Sequence, residues 1–303
     1  MTDAARPVSD LEGQPGGAMP QSDVTPAGSR PRRGSKKAKP FVVGYFPGLK
    51  AWTWFFFLYL YAPIVVLVIY SFNANPRVQR WTGFSFDWYA RAFANDDIQS
   101  AALNTLIVAT CATILSTAMA ILAALAMARG GFFRGKTASL GLLSLPLVVP
   151  EIATAVATLS FFAVIGFQLG LLSLIIAHTV FCIPFAFLPI RARLEGMDET
   201  LEQAAMDLYA SRWQAFRYVT LPLLMPGIIA GAMLAFIISV DDFIISLMVA
   251  GAGSTTLPLY IYGMIRVGIS PEVNVISVAM LVLSLAFLTV YWVLTRDDEK
   301  SAH

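Results

Sequence analysis

The sequence predicts an all-α membrane protein of six transmembrane helices, and three observations carry that prediction. Hydrophobic residues make up 57% of the 303 and charged residues only 13%, which places the chain outside the usage of soluble domains and makes a bilayer its default solvent. Six stretches, roughly 52–72, 104–128, 138–163, 171–191, 225–248 and 274–295, each supply the ~20 mainly apolar residues that a hydrocarbon core requires. None shows the short alternating pattern of a barrel strand.

Taken in order, residues 1–50 are rich in Pro, Gly, Ser and Asp and include the basic run 29–40. Such a composition buries too little apolar surface to fold alone and reads as a disordered basic tail. It does not read as a signal peptide, because the first apolar segment begins late and is long enough to span the bilayer uncut. The six spans then occupy residues 51–296, with a polar loop at about 192–222 and a short tail at 297–303. Lys and Arg concentrate in the N-terminal tail (Arg30 to Lys39), in the loop after the second span (Arg129, Arg134, Lys136) and in the loop after the fourth (Arg191, Arg193, Arg212, Arg217). On the opposite side Asp87, Asp96 and Asp97 offset Arg77, Arg80 and Arg91. The positive-inside rule therefore places both termini in the cytoplasm.

Several function classes drop out. A net charge of +2 with scattered basic residues gives no electrostatic footprint for nucleic acid. Cys111 and Cys182 both lie in apolar stretches, where cysteine acts as a small hydrophobe, and the two histidines, His178 and His303, have no metal-ligand spacing. Gly130, Gly135, Lys136 and Thr137 match the phosphate-binding pattern of Gly, four residues, Gly-Lys-Thr. That loop needs a buried strand before it, whereas this one joins two spans, so it reads as a chance match with basic residues supplied by topology.

The loop after the fourth span is too polar to cross the membrane yet reads as a pair of short helices, one around Gln203 to Leu208 and one from Arg212 to Val219, closed by Leu221-Pro222. Here the sequence resembles the inner-membrane permeases of ABC importers, whose loop carries Glu-Ala-Ala, three residues, Gly and a distant Leu-Pro. Tyr61-Ala62-Pro63, Tyr70-Ser71-Phe72-Asn73, Trp88-Tyr89, Phe133-Arg134-Gly135-Lys136, Phe181-Cys182-Ile183-Pro184-Phe185, Ser239-Val240-Asp241-Asp242 and Ser270-Pro271-Glu272-Val273-Asn274 are similar to the second permease of the spermidine/putrescine subfamily. The resemblance covers nearly everything after residue 50 and implies a type I importer permease fold in which the loop is a coupling helix. It further implies a homologous second permease, a dimer of ATP-binding subunits that holds ATP and Mg, a periplasmic substrate-binding protein and a polyamine substrate. This subunit itself would bind no cofactor and hydrolyse nothing. By the same resemblance, Glu202, Gln203, Ala204, Ala205, Asp207, Tyr209, Leu221 and Pro222 are the candidate contacts that couple the bundle to the ATPase.

Two positions depart from the family pattern. Gln203 stands in place of the Glu, and Glu202, one residue earlier, is turned about 100° around the helix. Tyr209 stands in place of the Gly, where a positive φ would cost a bulky residue roughly 1–2 kcal/mol.

Glu151, Asp241 and Asp242 are carboxylates inside apolar stretches, and such groups face a bundle interior or an aqueous path because lipid exposure is costly. Counting straight helices inward places Glu151 and Asp241 from the midplane outward. With aromatic faces from Tyr61, Trp88, Tyr260 and Tyr262 they form a candidate lining for a flexible amine, Asp241 foremost. Helix–helix hydrogen bonding is the alternative for the acids, and an interfacial belt for the aromatics. His178 reads as a hydrogen-bonded packing residue, with a proton relay as the alternative. Pro146, Pro150 and Pro184 mark candidate kinks. A permease for another small cationic or organic solute and an ion-coupled secondary transporter are the competing readings. The second lacks an internal repeat and leaves the polar loop unexplained. A membrane enzyme lacks any nucleophile with a positioned base.

Overall fold

The computed structural model describes residues 48–76, 80–131, 134–268 and 270–300. The basic tail before residue 48, Arg77, Phe133 and the last three residues lie outside these. The chain divides into two units, residues 1–54, of which only the start of the first helix is described, and residues 55–303, which form the bundle.

Helix α1 (Leu49–Tyr70) is apolar after Thr53 and buries none of its residues within the chain. A loop follows, built on Asn73, whose side-chain oxygen accepts the amides of Asn75 and Thr82 while its nitrogen donates to the Arg80 carbonyl. Helix α2 (Asp87–Ala94) comes next, and Ser71 hydrogen-bonds Tyr89 on it at 2.8 Å. Asn95 then caps α3 (Asp96–Arg129) by accepting the amides of Asp97 and Ile98.

The third apolar stretch is not one straight span. It is α4 (Lys136–Val148) and α5 (Glu151–Val164), bent by 110°. Pro150 supplies the reason, since it has no amide hydrogen and pushes the preceding Val149 out of helical geometry, to ψ 134°. The straight-helix count that set the depth of Glu151 therefore fails; Glu151 sits at the first residue of α5. The glycines and Lys136-Thr137 of the phosphate-loop pattern link α3 to α4, with helix on the side where a strand would be needed.

Helix α6 (Leu171–Glu195) tolerates Pro184 and Pro189 inside it. The polar loop forms α7 (Thr200–Asp207), α8 (Arg212–Ala215) and a π-helical turn, Phe216–Thr220, that runs directly into α9 (Leu221–Asp241). The fifth apolar stretch also breaks: α9 stops at Asp241 and a short α10 (Ile244–Val249) follows. Helices α11 (Leu257–Val267) and α12 (Pro271–Lys300) complete the chain. Among the described residues, five helices are long and apolar enough to cross a bilayer, and six if the bent α4–α5 pair counts as one crossing.

The core is the mutual packing of α3, α6 and α9. Small residues make it possible, as lipid tails leave little apolar driving force between helices and close backbone approach takes its place. Ala109, Ala112, Ala120 and Ala124 of α3 are fully buried. On α9, Gly227 and Gly231 lie one turn apart against α6, and a Cβ on Gly231 would fall 2.5 Å from the Ala186 carbonyl oxygen.

Candidate functional site

The two helix breaks meet. Glu151 at the start of α5 and Asp241 and Asp242 at the end of α9 line one cavity of about 480 Å³ together with Phe181, Phe185 and Phe243. Helix α10 packs against α5, which brings the two broken stretches together. Placing carboxylates at helix starts suits the positive end of the helix dipole. Asp242 uses this directly, for its two oxygens accept the amides of Ile245 and Ser246 at the head of α10 at 3.3 and 3.2 Å.

The two adjacent aspartates do different work. Asp242 is buried and its Oδ2 lies 3.1 Å from Nε2 of His178. His178 is 1% exposed and its Nδ1 lies 2.8 Å from the Ser239 hydroxyl, with Ser246 3.1 Å from Nε2. Through these contacts one imidazole joins α6, α9 and α10. Asp241 is exposed on the cavity wall and makes no hydrogen bond or ion pair among the described residues. Glu151 faces the same cavity as both aspartates.

The structure brings together the three carboxylates but not the aromatics named with them. Trp88 and Tyr260 pack in a separate cluster of α2, α3, α11 and α12, with the Arg91 guanidinium 4.8 Å above the Trp88 ring. Tyr61 lies on α1, exposed and stacked on Phe57. Tyr262 reaches the cavity indirectly, through its ring contact with Phe243 at 4.7 Å. The aromatic faces of the cavity are Phe181 and Phe185, and the sequence holds their signal: His178, Phe181 and Phe185 follow an i, i+3, i+7 spacing that shares one helical face.

The polar loop forms a second feature at the other end of α9, about 30 Å away along its 21 residues. Asp198 precedes α7 and accepts the Thr200 amide at 2.9 Å, which holds its carboxyl below the ordinary range. At the far end Tyr209 adopts φ 65°, the left-handed region, with its amide bonded to Met206 and that of Ala210 to Ala205. This is the helix stop that glycine usually makes; the turn keeps its glycine-like shape and tyrosine carries the strain. The Tyr209 side chain is left 98% exposed. Leu201, Met206, Leu208, Trp213 and Tyr218 are also exposed, so the loop presents an apolar surface. Gln203, Ala204 and Asp207 are exposed and Ala205 is half-buried, whereas Glu202 turns inward toward Arg129 and Thr220. Leu221 and Pro222 open α9.

Comparison with known proteins agrees with this architecture. Residues 116–296 match the model of the family described as binding-protein-dependent transport system inner membrane component. The chain is 40% identical over 232 residues to the spermidine/putrescine transport system permease protein PotC of Haemophilus influenzae, covering 77% of this chain and 90% of that protein. It is 36% identical over 242 residues to the putrescine transport system permease protein PotI of Escherichia coli, covering 77% and 85%. Among solved structures, a bacterial ABC transporter that imports the acidic polysaccharide alginate superposes with a TM-score of 0.65 at 19% identity, over 82% of this chain and 93% of that one. The MetNI methionine ABC transporter does so with 0.56 at 19%, over 67% and 98%. At such identities the structural likeness speaks for the fold alone. The family match and the close relatives together show that this chain belongs to the binding-protein-dependent transport system inner membrane components.

Proposed function

We propose that this chain is the transmembrane permease subunit of an ATP-driven importer that moves polyamines, spermidine or putrescine, from a periplasmic binding protein into the cytoplasm. The observation that carries this reading is the cavity where two helix breaks gather Glu151, Asp241 and Asp242 against phenylalanine faces. Its volume lies in the range of small-molecule sites. An ammonium gains from a carboxylate and from an aromatic face at once. Asp241 offers its carboxylate without breaking an existing bond, whereas Asp242 is committed to His178 and α10. Three carboxylates on one cavity repel one another, and a bound ammonium relieves that repulsion. The polyamine permeases among its relatives support the same substrate class.

In this reading α7 and the apolar surface around it face the cytoplasm and dock on a dimer of ATP-binding subunits, where ATP and Mg are held and hydrolysed. A homologous second permease completes the pathway, and both termini are cytoplasmic. The test is uptake of labelled putrescine and spermidine by the full complex reconstituted in lipid vesicles. Asp241→Asn should lower uptake by about 10- to 100-fold, as loss of one charge-assisted contact implies, with assembly intact. Wild-type uptake by that variant removes Asp241 from the path; uptake by this chain without an ATPase overturns the whole reading.

A further inference from the structure

We infer that Arg129, Glu202 and Thr220 form an internal strut that ties the coupling helix α7 to α3 and α9, so that a pull on α7 moves the helices that carry the acidic cavity. The inference rests on the proposed role of α7 as the handle of the ATPase and adds how the pull is passed inward.

Arg129 is the last residue of α3, and its side chain is only 18% exposed. Its Nη1 donates to Glu199 just before α7, and its Nε lies 3.3 Å from Oε1 of Glu202 within α7. The same Glu202 oxygen accepts the Thr220 hydroxyl at 3.0 Å. Thr220, 3% exposed, ends the π-helical turn, and α9 begins at the next residue. One carboxylate thus holds the end of one core helix and the start of another. From there α9 runs unbroken to Asp241 and packs along α3 and α6.

Burial decides why this counts for more than a surface ion pair. Exposed pairs are screened and contribute little, but Glu202 is 22% exposed and the Nε and Nη2 atoms of Arg129 are buried with no hydrogen bond of their own. Removing Glu202 takes away the more buried of the two acids beside that guanidinium and leaves it only the exposed Glu199, so part of a buried charge loses its partner. The register explains the placement. Glu202 and Gln203 differ by about 100° around α7, so Gln203 points outward, where a partner can reach it, and Glu202 points inward. Adjacent residues divide docking from transmission, and Arg129, Glu202 and Thr220 act as positioning residues.

The experiment uses the full complex, reconstituted with its ATPase and partner permease, in a background lacking Cys111 and Cys182. Spin labels at Thr200→Cys on α7 and Leu103→Cys near the other end of α3 report whether the two helices move together. With the strut intact the distance is the same without nucleotide and with ATP plus vanadate. Glu202→Gln and Arg129→Met should each make it nucleotide-dependent and lower uptake per ATP hydrolysed by about tenfold, with the double variant no worse than either single. Arg129→Lys, which keeps the charge, should restore most of the loss, and Thr220→Val, which keeps the shape, should show a weaker effect in the same direction. A distance that stays constant in the variants, or losses that multiply in the double, overturns the strut. Failure of the ATPase to assemble with this chain sinks the proposed function and the strut with it. Distances that behave as described without polyamine uptake sink only the substrate assignment.

Discussion

Replacing Tyr209 by glycine should stabilise this chain while weakening its hold on a partner. The native φ of 65° lies in the left-handed region, which costs an L-residue about 1–2 kcal/mol and glycine almost nothing. Glycine gives back roughly 0.4–1 kcal/mol through the greater freedom of its unfolded chain. The ring itself is 98% exposed, so no packing is lost, and the balance is a gain of about 1 kcal/mol. The hydrogen bonds of the turn, Tyr209 to Met206 and Ala210 to Ala205, are backbone bonds and survive. The assay is thermal unfolding of the purified subunit in detergent, with Tyr209→Ala as the control, because alanine keeps the Cβ and therefore the strain. Equal stabilisation by alanine, or a loss of stability with glycine, would refute the strain account. Strain of this kind persists where the strained residue is used. The same glycine variant should therefore reduce co-purification of the ATP-binding subunit, and full retention would show that the exposed ring does not take part in docking.

The remaining predictions concern the bundle and the docking face. His178→Ala removes a buried hydrogen-bonding partner of Asp242 and should cost about 1.5–3 kcal/mol; a melting temperature equal to that of the unsubstituted protein would remove His178 from the helix junction. Gly231→Ala drives a Cβ to 2.5 Å from the Ala186 carbonyl oxygen, a backbone atom that cannot rotate away. Overpacking of about 1–3 kcal/mol should follow, measured as reduced detergent stability, while Gly141→Ala, with open space around it, should show none of this cost. Ala204→Arg lies on the exposed face of α7 and should abolish co-purification with the ATPase while leaving the fold intact; unchanged binding and transport would contradict the docking role of α7.

Much was legible in the sequence because bilayer physics acts on short segments. Length and apolarity alone mark where spans lie, and the polar loop stands out because it cannot enter lipid. The family pattern marked Tyr209 but left open whether the turn there kept its shape, which the φ of 65° decides. The cavity was not legible. Glu151 and Asp242 are 91 positions apart, and a straight count placed them only by depth along separate helices. Two breaks, one written by Pro150 and one made where Asp242 caps α10, turned those helices so that the acids meet. The paired aspartates are chemically identical in sequence, and only the position of His178 and Ser246 commits one and frees the other. Trp88, Tyr61 and Tyr260 show the converse, since aromatic side chains were apparent but their neighbours were not. Sequence determined where the apolar stretches and the polar loop lie, which follow from local composition, and its motifs carried the resemblance to the family. Tertiary structure decided which polar groups face one another, because that depends on how the helices bend and pack, and no single segment carries that information.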